Sequence, residues 1–403
     1  MARVVIAGGG LGALRTAESL RANGFTGPIT VIGDEGSLPY NRPPLSKEAL
    51  LDGVHPDSLE FRRKPSVDDV DWRTGSAITH SDLAARTITL SDGETVAFDG
   101  LVIATGIRPR RLSIPGPHRG RFVLRTVTDA VALREHIAPD VNTVILGAGF
   151  IGCEVAATAR TMGANVTIVA ADSEPMLRPL GSQMGTAMRR RHEAHGVHFH
   201  LGRVIDAFKG DDCVRGVMLD DGTEFPADLV LEAVGSIPNV EWLDGNGLDL
   251  GDGILVDSAM QVDFPSAPIV AVGDIARHPN ALFGDVPRRI EHWNMPTETG
   301  RRAGQTLAAL LCDDDVDRGP FTAMPAFWSD QYGYRLQSFG LPGIATSHRT
   351  VDGDPDGPCI VEYHDGDGLV GVLGIDRTQD LLPYRKAIMD RENRARTTAS
   401  EIG

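Results

Sequence analysis

The chain predicts an α/β fold made of two Rossmann-like modules, each a parallel sheet flanked by helices, followed by a C-terminal α+β domain. Three observations carry this expectation. Two glycine-rich turns, far apart in the chain, each close an apolar strand and open a helix; the signals that follow the first turn recur after the second; and beyond Pro325 the chain changes to aromatic, β-rich segments with Gly-Asp turns. At 403 residues the chain is too long for one ordinary core and suits two or three domains.

The first module opens with Val4-Val5-Ile6-Ala7 and the turn Gly8-Gly9-Gly10-Leu11-Gly12-Ala13, a G-x-G-x-x-A pattern. Glycine is required there because the chain turns tightly, a Cβ would hold the backbone away from a pyrophosphate, and the helix must press on the strand. Gly8, Gly10, Gly12 and Ala13 are therefore candidate dinucleotide contacts, with the phosphates on a helix N-terminus. A second strand, Ile29-Thr30-Val31-Ile32, follows, and Asp34 beyond it, about 20 residues past the turn, is placed to accept from an adenosine ribose. Adjacent Glu35 is the second choice.

A Pro-rich loop (Pro39, Pro43, Pro44), strand signals such as Arg86-Thr87-Ile88-Thr89-Leu90, and the buried-strand run Leu101-Val102-Ile103-Ala104-Thr105-Gly106 complete the first block. Pro109, Pro115 and Pro117 mark a linker. The second module starts near Asn142 and carries the full G-x-G-x-x-G pattern, with Gly147, Gly149 and Gly152 as candidate contacts of a second dinucleotide. Asn165-Val166-Thr167-Ile168-Val169 is its second strand, Asp220-Asp221-Gly222 its hairpin turn, and Leu229 to Pro238 echoes Leu101 to Pro109. The halves read as an internal duplication. A third signature, Ile269-Val270-Ala271-Val272-Gly273-Asp274, sets Asp274 at the carboxyl edge of a sheet, where doubly wound folds bind ligands. The expected partition is 1–112 with 245–325, 113–244, and 326–403.

Composition narrows the class. A net charge of −16 and a pI near 5.2 argue against nucleic acid as a bulk partner, and 41% hydrophobic with 23% charged residues is the composition of a globular protein. No apolar run approaches the roughly 20 residues of a membrane span, and the N-terminus has no charged-then-apolar signal layout, so the cytoplasm is expected. Cys153, Cys213, Cys312 and Cys359 have no metal-ligand spacing, which fits a reduced compartment and no metal site. Cys153 reads as a small packing residue. The run Arg189-Arg190-Arg191 with His192, His195, His198 and His200 reads as a solvated helix face and the strand after it.

Taken together, several segments carry a family resemblance. Gly8 to Ala13, Gly33-Asp34-Glu35, Leu38-Pro39-Tyr40-Asn41-Arg42-Pro43-Pro44-Leu45-Ser46-Lys47, Ala104 to Pro109, Leu124-Arg125-Thr126, Gly147 to Glu154, Val272-Gly273-Asp274, Glu291-His292-Trp293 and Phe327-Trp328-Ser329-Asp330-Gln331-Tyr332 resemble the flavin-dependent ferredoxin reductases of oxygenase systems, the putidaredoxin reductase and aromatic dioxygenase reductase family. The resemblance covers nearly the whole chain. It implies a glutathione-reductase-like architecture, FAD in the first module, a nicotinamide in the second, and a C-terminal domain over the flavin.

The resemblance also implies roles. Arg42, Lys47 and Arg125 contact the pyrophosphate and ring system, Ile78 joins the FAD contacts, Asp274 bonds the ribityl chain, and Trp293 lies beside the ring. Lys47 sits near flavin N5 with Glu154 reaching it, since a desolvated Lys and Glu are tolerable only as a pair. These two are the candidate catalytic residues. Neither the Cys pair of disulfide reductases nor the single Cys that peroxide-reducing relatives carry near the Leu45 position is present, so electrons pass directly to an external acceptor, in this family a [2Fe–2S] ferredoxin.

Where many relatives place a Glu that excludes a 2′-phosphate, this chain reads Ala170-Ala171-Asp172, and no Arg follows until Arg178. The expectation is NADH over NADPH, with Asp172 among the contacts. Arg288, Arg289, Arg301 and Arg302 flank the Trp293 segment and are the expected docking patch for an acidic ferredoxin. The alternatives are a rubredoxin reductase or diaphorase, or a redox-sensing flavoprotein resembling apoptosis-inducing factor. Oligomeric state is not readable from the chain.

Overall fold

Val4–Ala7 has every side chain buried and is the centre of a five-stranded parallel sheet, in the order Ile269–Ala271, Gly100–Ile103, Val4–Ala7, Ile29–Ile32, Asp71–Arg73. The computed structural model describes residues 1–54, 56–366 and 368–390. Near-continuous apolar strands are what a parallel sheet covered on both faces requires. A second parallel sheet repeats the design in the order His198–Leu201, Asn165–Ala170, Asn142–Leu146, Leu229–Glu232, Arg121–Phe122. Each is accompanied by a three-stranded antiparallel meander, Ile78–Asp82 to Thr95–Ala97 in the first half and Ile205–Lys209 to Glu224–Pro226 in the second. The repeat seen in the sequence is thus a repeat of topology. The echoing segments pair with each other: Ile107–Pro109 and Ser236–Pro238 form a two-stranded antiparallel ribbon, Arg108 opposite Ile237, that ties the halves together.

The first dinucleotide helix, Leu11–Ala22, is clamped by Met295–Cys312. Small residues allow that approach. A Cβ on Gly304 would stand 2.4 Å from Ser19 Cβ, and one on Gly300 would stand 3.0 Å from Gly12 O. Ser19 Oγ donates to Arg301 O at 2.7 Å across the contact. Ile269–Ala271 and this helix bring Gly273 and Asp274 back to the first glycine turn, with Pro296 3.6 Å from where a Gly273 Cβ would be.

Ala326–Gln331, Tyr334–Gly340, Gly368–Ile375, Cys359–Asp365 and Ser347–Gly353 form a five-stranded antiparallel sheet, followed by helical turns over 382–390. It seats on the helix Leu177–Ala194 of the second half, and here a sequence expectation is corrected. The triple arginine is a solvated face only in part: Arg190, His195 and His198 are exposed, whereas Arg191 and His192 are buried. Arg190 Nη1 bonds Asp356 Oδ2 at 2.6 Å, Arg191 Nη2 donates to Pro355 O at 2.6 Å and Gly357 O at 3.1 Å, and His192 is 0% exposed. The partner is a polar loop rather than an apolar patch, so hydropathy gives no sign of it. Cys153 is fully buried, and that burial pushes its thiol pKa up, away from reactivity. Among the described residues no helix is long and apolar enough to cross a membrane.

Candidate functional site

Two glycine turns with the same construction define the site. Gly8 has φ +112° and Gly147 φ +101°, a region L side chains rarely adopt, and a Cβ at either would meet the backbone oxygen of Ala104 at 2.2 Å or of Ala233 at 2.3 Å. The third glycine of the second turn is equally constrained, because a Cβ on Gly152 would stand 2.2 Å from Gly147 O. The middle positions are the opposite. Nothing lies within 4 Å of a Cβ built on Gly10 or Gly149. These two residues cap the helices Leu11–Ala22 and Phe150–Thr161, neither helix has a side-chain cap, and neither has an acidic residue in its first turn. Uncapped N–H groups and an uncompensated dipole, reached over a bare backbone, fit an anion such as a pyrophosphate.

From the first turn a narrow cleft runs over Gly9, Gly10, Gly33, Asp34, Glu35, Tyr40 and Arg42. Asp34 is exposed on its wall. Glu35 is instead committed: Tyr40 OH donates to its Oε2 at 2.5 Å and Arg42 Nη2 lies 2.5 Å from its Oε1. Arg42 Nη1 also donates to Arg125 O at 2.7 Å, and Arg125 Nη2 bonds Asp274 Oδ2 at 3.0 Å. The structure therefore joins Arg42, Arg125 and Asp274, which are 83 and 149 residues apart in successive steps, into one polar rim. Ile78 is half-buried at the start of a meander strand and does not line the cleft.

Lys47 Nζ lies 2.8 Å from Glu154 Oε1, both side chains largely buried. The first half supplies the lysine from the C-terminal end of the turn Pro43–Ser46, and the second half supplies the glutamate from the helix that its glycine turn opens. Two hydroxyls complete the carboxylate's partners: Ser46 Oγ donates to Oε2 at 2.5 Å and Ser329 Oγ to Oε1 at 2.6 Å. Sequence reasoning gave neither serine a role. A signal was present for Ser329, because Phe327, Ser329 and Gln331 alternate on the buried face of their strand.

Trp293 is 39% exposed, packs edge-on against Trp328 with ring centroids 5.2 Å apart, and donates through Nε1 to Asn41 Oδ1 at 3.0 Å. Beside it, desolvation lowers the His292 pKa to about 4 against the pull of the Asp274 carboxylate, so the ring is neutral at pH 7. The expected arginine patch is not one open positive surface. Arg289 is held by Asp252 and Glu291 and Arg302 by Asp317, each with its side chain 12% exposed, while Arg288 donates to the carbonyls of Phe283 and Val286. Arg301 alone projects into solvent, 59% exposed and paired with Glu298. The clustering in sequence hides local acidic partners that folding brings in. In the second half, Asp172 lies just past the end of Asn165–Ala170, with Arg178 Nε 3.8 Å from its carboxylate.

Two uncapped dinucleotide turns whose modules meet at a buried Lys–Glu pair define a two-dinucleotide oxidoreductase. The chain belongs to the pyridine nucleotide-disulphide oxidoreductase family, whose pattern matches residues 2–300, with a reductase C-terminal domain matching 326–401. It is 34% identical to rhodocoxin reductase of Rhodococcus erythropolis over 96% of this chain and 89% of that one. It is 36% identical to the ferredoxin–NAD(+) reductase subunit of a benzene 1,2-dioxygenase system of Pseudomonas putida, over 84% of this chain and 80% of that one. The fold superposes on the reductase in a covalent putidaredoxin reductase–putidaredoxin complex with a TM-score of 0.88, at 32% identity, covering 97% of this chain and 93% of that chain.

Proposed function

We propose that the chain takes a hydride from NADH onto FAD and passes single electrons to a [2Fe–2S] ferredoxin that feeds a monooxygenase or dioxygenase. The observation that carries this reading is the convergence of Lys47 and Glu154, one from each dinucleotide module, at 2.8 Å. FAD belongs to the unit 1–112 with 245–325 and the nicotinamide to 113–244, with 326–403 over the flavin; residues 391–403 lie outside the described ones. Bound FAD would supply the hydride acceptor and the outlet for single electrons. The residues bind and orient. Gly8, Gly10, Gly12 and Ala13 would present helix N–H groups to the pyrophosphate, Asp34 would accept from the ribose, and Arg42, Arg125 and Asp274 would fix the middle of the cofactor. Glu154 holds Lys47 Nζ in an ion pair and Pro43 O takes a long second bond at 3.5 Å, so the remaining N–H would be offered to a bound ring. The cytoplasm is the proposed compartment, supported by four unpaired cysteines.

For the nicotinamide, Asp172 would meet the adenosine ribose hydroxyls and disfavour a 2′-phosphate. In stopped-flow reduction, NADH is expected to give the higher specificity constant, and Asp172→Ala should erode the preference, since it also frees Arg178 for a phosphate. A clear NADPH preference in the wild type would overturn this assignment.

For the partner, we propose docking at the exposed Trp293–Trp328 edge, with Arg301 and Arg288 as the positive component of the original four. Steered association weakens as salt rises, so ferredoxin-dependent cytochrome reduction should fall with ionic strength while flavin reduction by NADH changes much less. Arg301→Glu should raise the apparent ferredoxin Michaelis constant. Arg302→Glu should instead destabilise the fold by breaking its tie to Asp317. Wild-type ferredoxin kinetics for Arg301→Glu at low salt would place the dock elsewhere.

A further inference from the structure

Beyond Ser329 the hydrogen bonds continue to a fully buried imidazole. Gln331 Nε2 donates to Ser329 Oγ at 2.9 Å, His192 Nε2 lies 2.8 Å from Gln331 Oε1, and His192 Nδ1 lies 3.1 Å from Tyr332 OH. Proton counting fixes the direction of every bond. An ionised Glu154 can only accept, so the Ser329 hydroxyl proton is committed to it and the Ser329 oxygen must accept from an amide N–H. Gln331 then turns its carbonyl to His192, Nε2 must carry the imidazole proton, and Nδ1 accepts from Tyr332. All donations run from Tyr332 toward Glu154.

The arrangement is held at some cost. Tyr332 has φ +51° and Gly333 φ +81° at the hairpin between Ala326–Gln331 and Tyr334–Gly340, and a bulky residue in the left-handed region of such a turn is disfavoured. The Tyr332 ring is gripped by stacking on His195 at 3.8 Å and by an edge contact with His192 at 5.1 Å. Desolvation pulls the His192 pKa down to about 4 in a setting that includes Gln331, Tyr332, His195 and Phe199, so the imidazole is neutral at pH 7.

We propose that His192 is a positioning residue: through Gln331 it fixes the Ser329 hydroxyl as a donor to Glu154, and so sets the carboxylate that holds Lys47. Without the imidazole N–H, the Gln331 amide is free to rotate its oxygen toward Ser329. The hydroxyl then has two acceptors to choose between, and Glu154 loses a donor. The catalytic consequence rests on the proposed roles of Glu154 and Lys47; the bond directions do not.

The test therefore has two arms. In the oxidised, FAD-loaded full chain labelled with 15N-histidine, the signals absent from His192→Phe should show a neutral ring protonated at Nε2 and bare at Nδ1 at pH 7. An Nδ1-protonated or doubly protonated ring overturns the proposal. In anaerobic stopped flow, His192→Phe and Gln331→Leu should each slow flavin reduction by about tenfold, the order expected for one hydrogen bond to a charged group, with NADH saturation unchanged. The double variant should be no slower than the slower single one, and His192→Gln, which keeps a donor near the Nε2 position, should recover to within about threefold of wild type. Wild-type rates in His192→Phe, or rate losses that multiply in the double variant, overturn the proposal; should His192→Phe fail to fold, Gln331→Leu against His192→Gln decides it. If the wild type itself is not reduced by NADH, the reading of the site fails, and the NMR arm still judges the bond directions.

Discussion

Lys47→Met is expected to slow flavin reduction by NADH by about two orders of magnitude, the usual effect of removing one preorganised donor from a desolvated reacting centre. The substitution keeps most of the side chain's volume and removes the charge. It leaves the Glu154 carboxylate buried with Ser46 and Ser329 as its remaining donors. Breaking a buried pair typically costs about 3–5 kcal/mol, and these two hydroxyls should hold the loss toward the lower end. Glu154→Gln should produce a similar rate defect from the other side, since Lys47 then loses its counter-charge. Because the two act as one unit, the double variant should be little worse than either single variant. Stopped-flow traces and thermal midpoints on the same samples separate the two effects. Reduction of Lys47→Met at the wild-type rate would remove Lys47 from the chemistry.

The second large effect separates the two nucleotide sites. Gly8→Ala forces a Cβ to within 2.2 Å of Ala104 O at a φ of +112°, so strand, turn and helix cannot keep their places together. The expected product is colourless or insoluble. Gly147→Ala meets the same obstruction at Ala233 O, 2.3 Å away, but in the other sheet. It should remain yellow, with FAD retained, while reduction by NADH falls by at least about 100-fold, the cost of misplacing a bound reactant by an ångström or so. The absorbance spectrum after gel filtration and a single-turnover reduction trace are the two measurements needed. Loss of flavin from Gly147→Ala with retention in Gly8→Ala would invert the assignment of the two modules.

Local order explains what was legible in the sequence. Gly8-Gly9-Gly10 and Gly147-Ala148-Gly149 announce themselves because a turn, a bare backbone and a helix start occupy neighbouring positions. The central parallel strands are equally plain, since burial on both faces leaves no choice but apolar runs, whereas the edge strands Asp71–Arg73 and Arg121–Phe122 carry no such run. Lys47 and Glu154 were pointed to by motif, yet nothing in their spacing of more than a hundred residues measures how close they come. What the sequence hid is tertiary. Arg289 has Glu291 two residues on, but its other partner, Asp252, is 37 residues away; the Asp317 partner of Arg302 is 15 residues away, and the carbonyls that hold Arg191 lie 164 and 166 residues on. His192 sits one residue from that arginine and looks like the rest of a polar helix face until the hairpin at Tyr332 closes over it. Asp34 and Glu35 are adjacent, chemically alike and both on the lining of the cleft, and only the positions of Tyr40 and Arg42 show that Glu35 is committed.

The most direct test of the account is an anaerobic electron count on the purified, FAD-loaded protein. One equivalent of NADH should bleach the flavin, and oxidised [2Fe–2S] ferredoxin added afterwards should restore the flavin spectrum with two ferredoxins reduced for each NADH consumed. A bleached protein that keeps a persistent long-wavelength band and yields no electrons to any [2Fe–2S] ferredoxin tried would contradict the account and favour a redox-sensing flavoprotein instead.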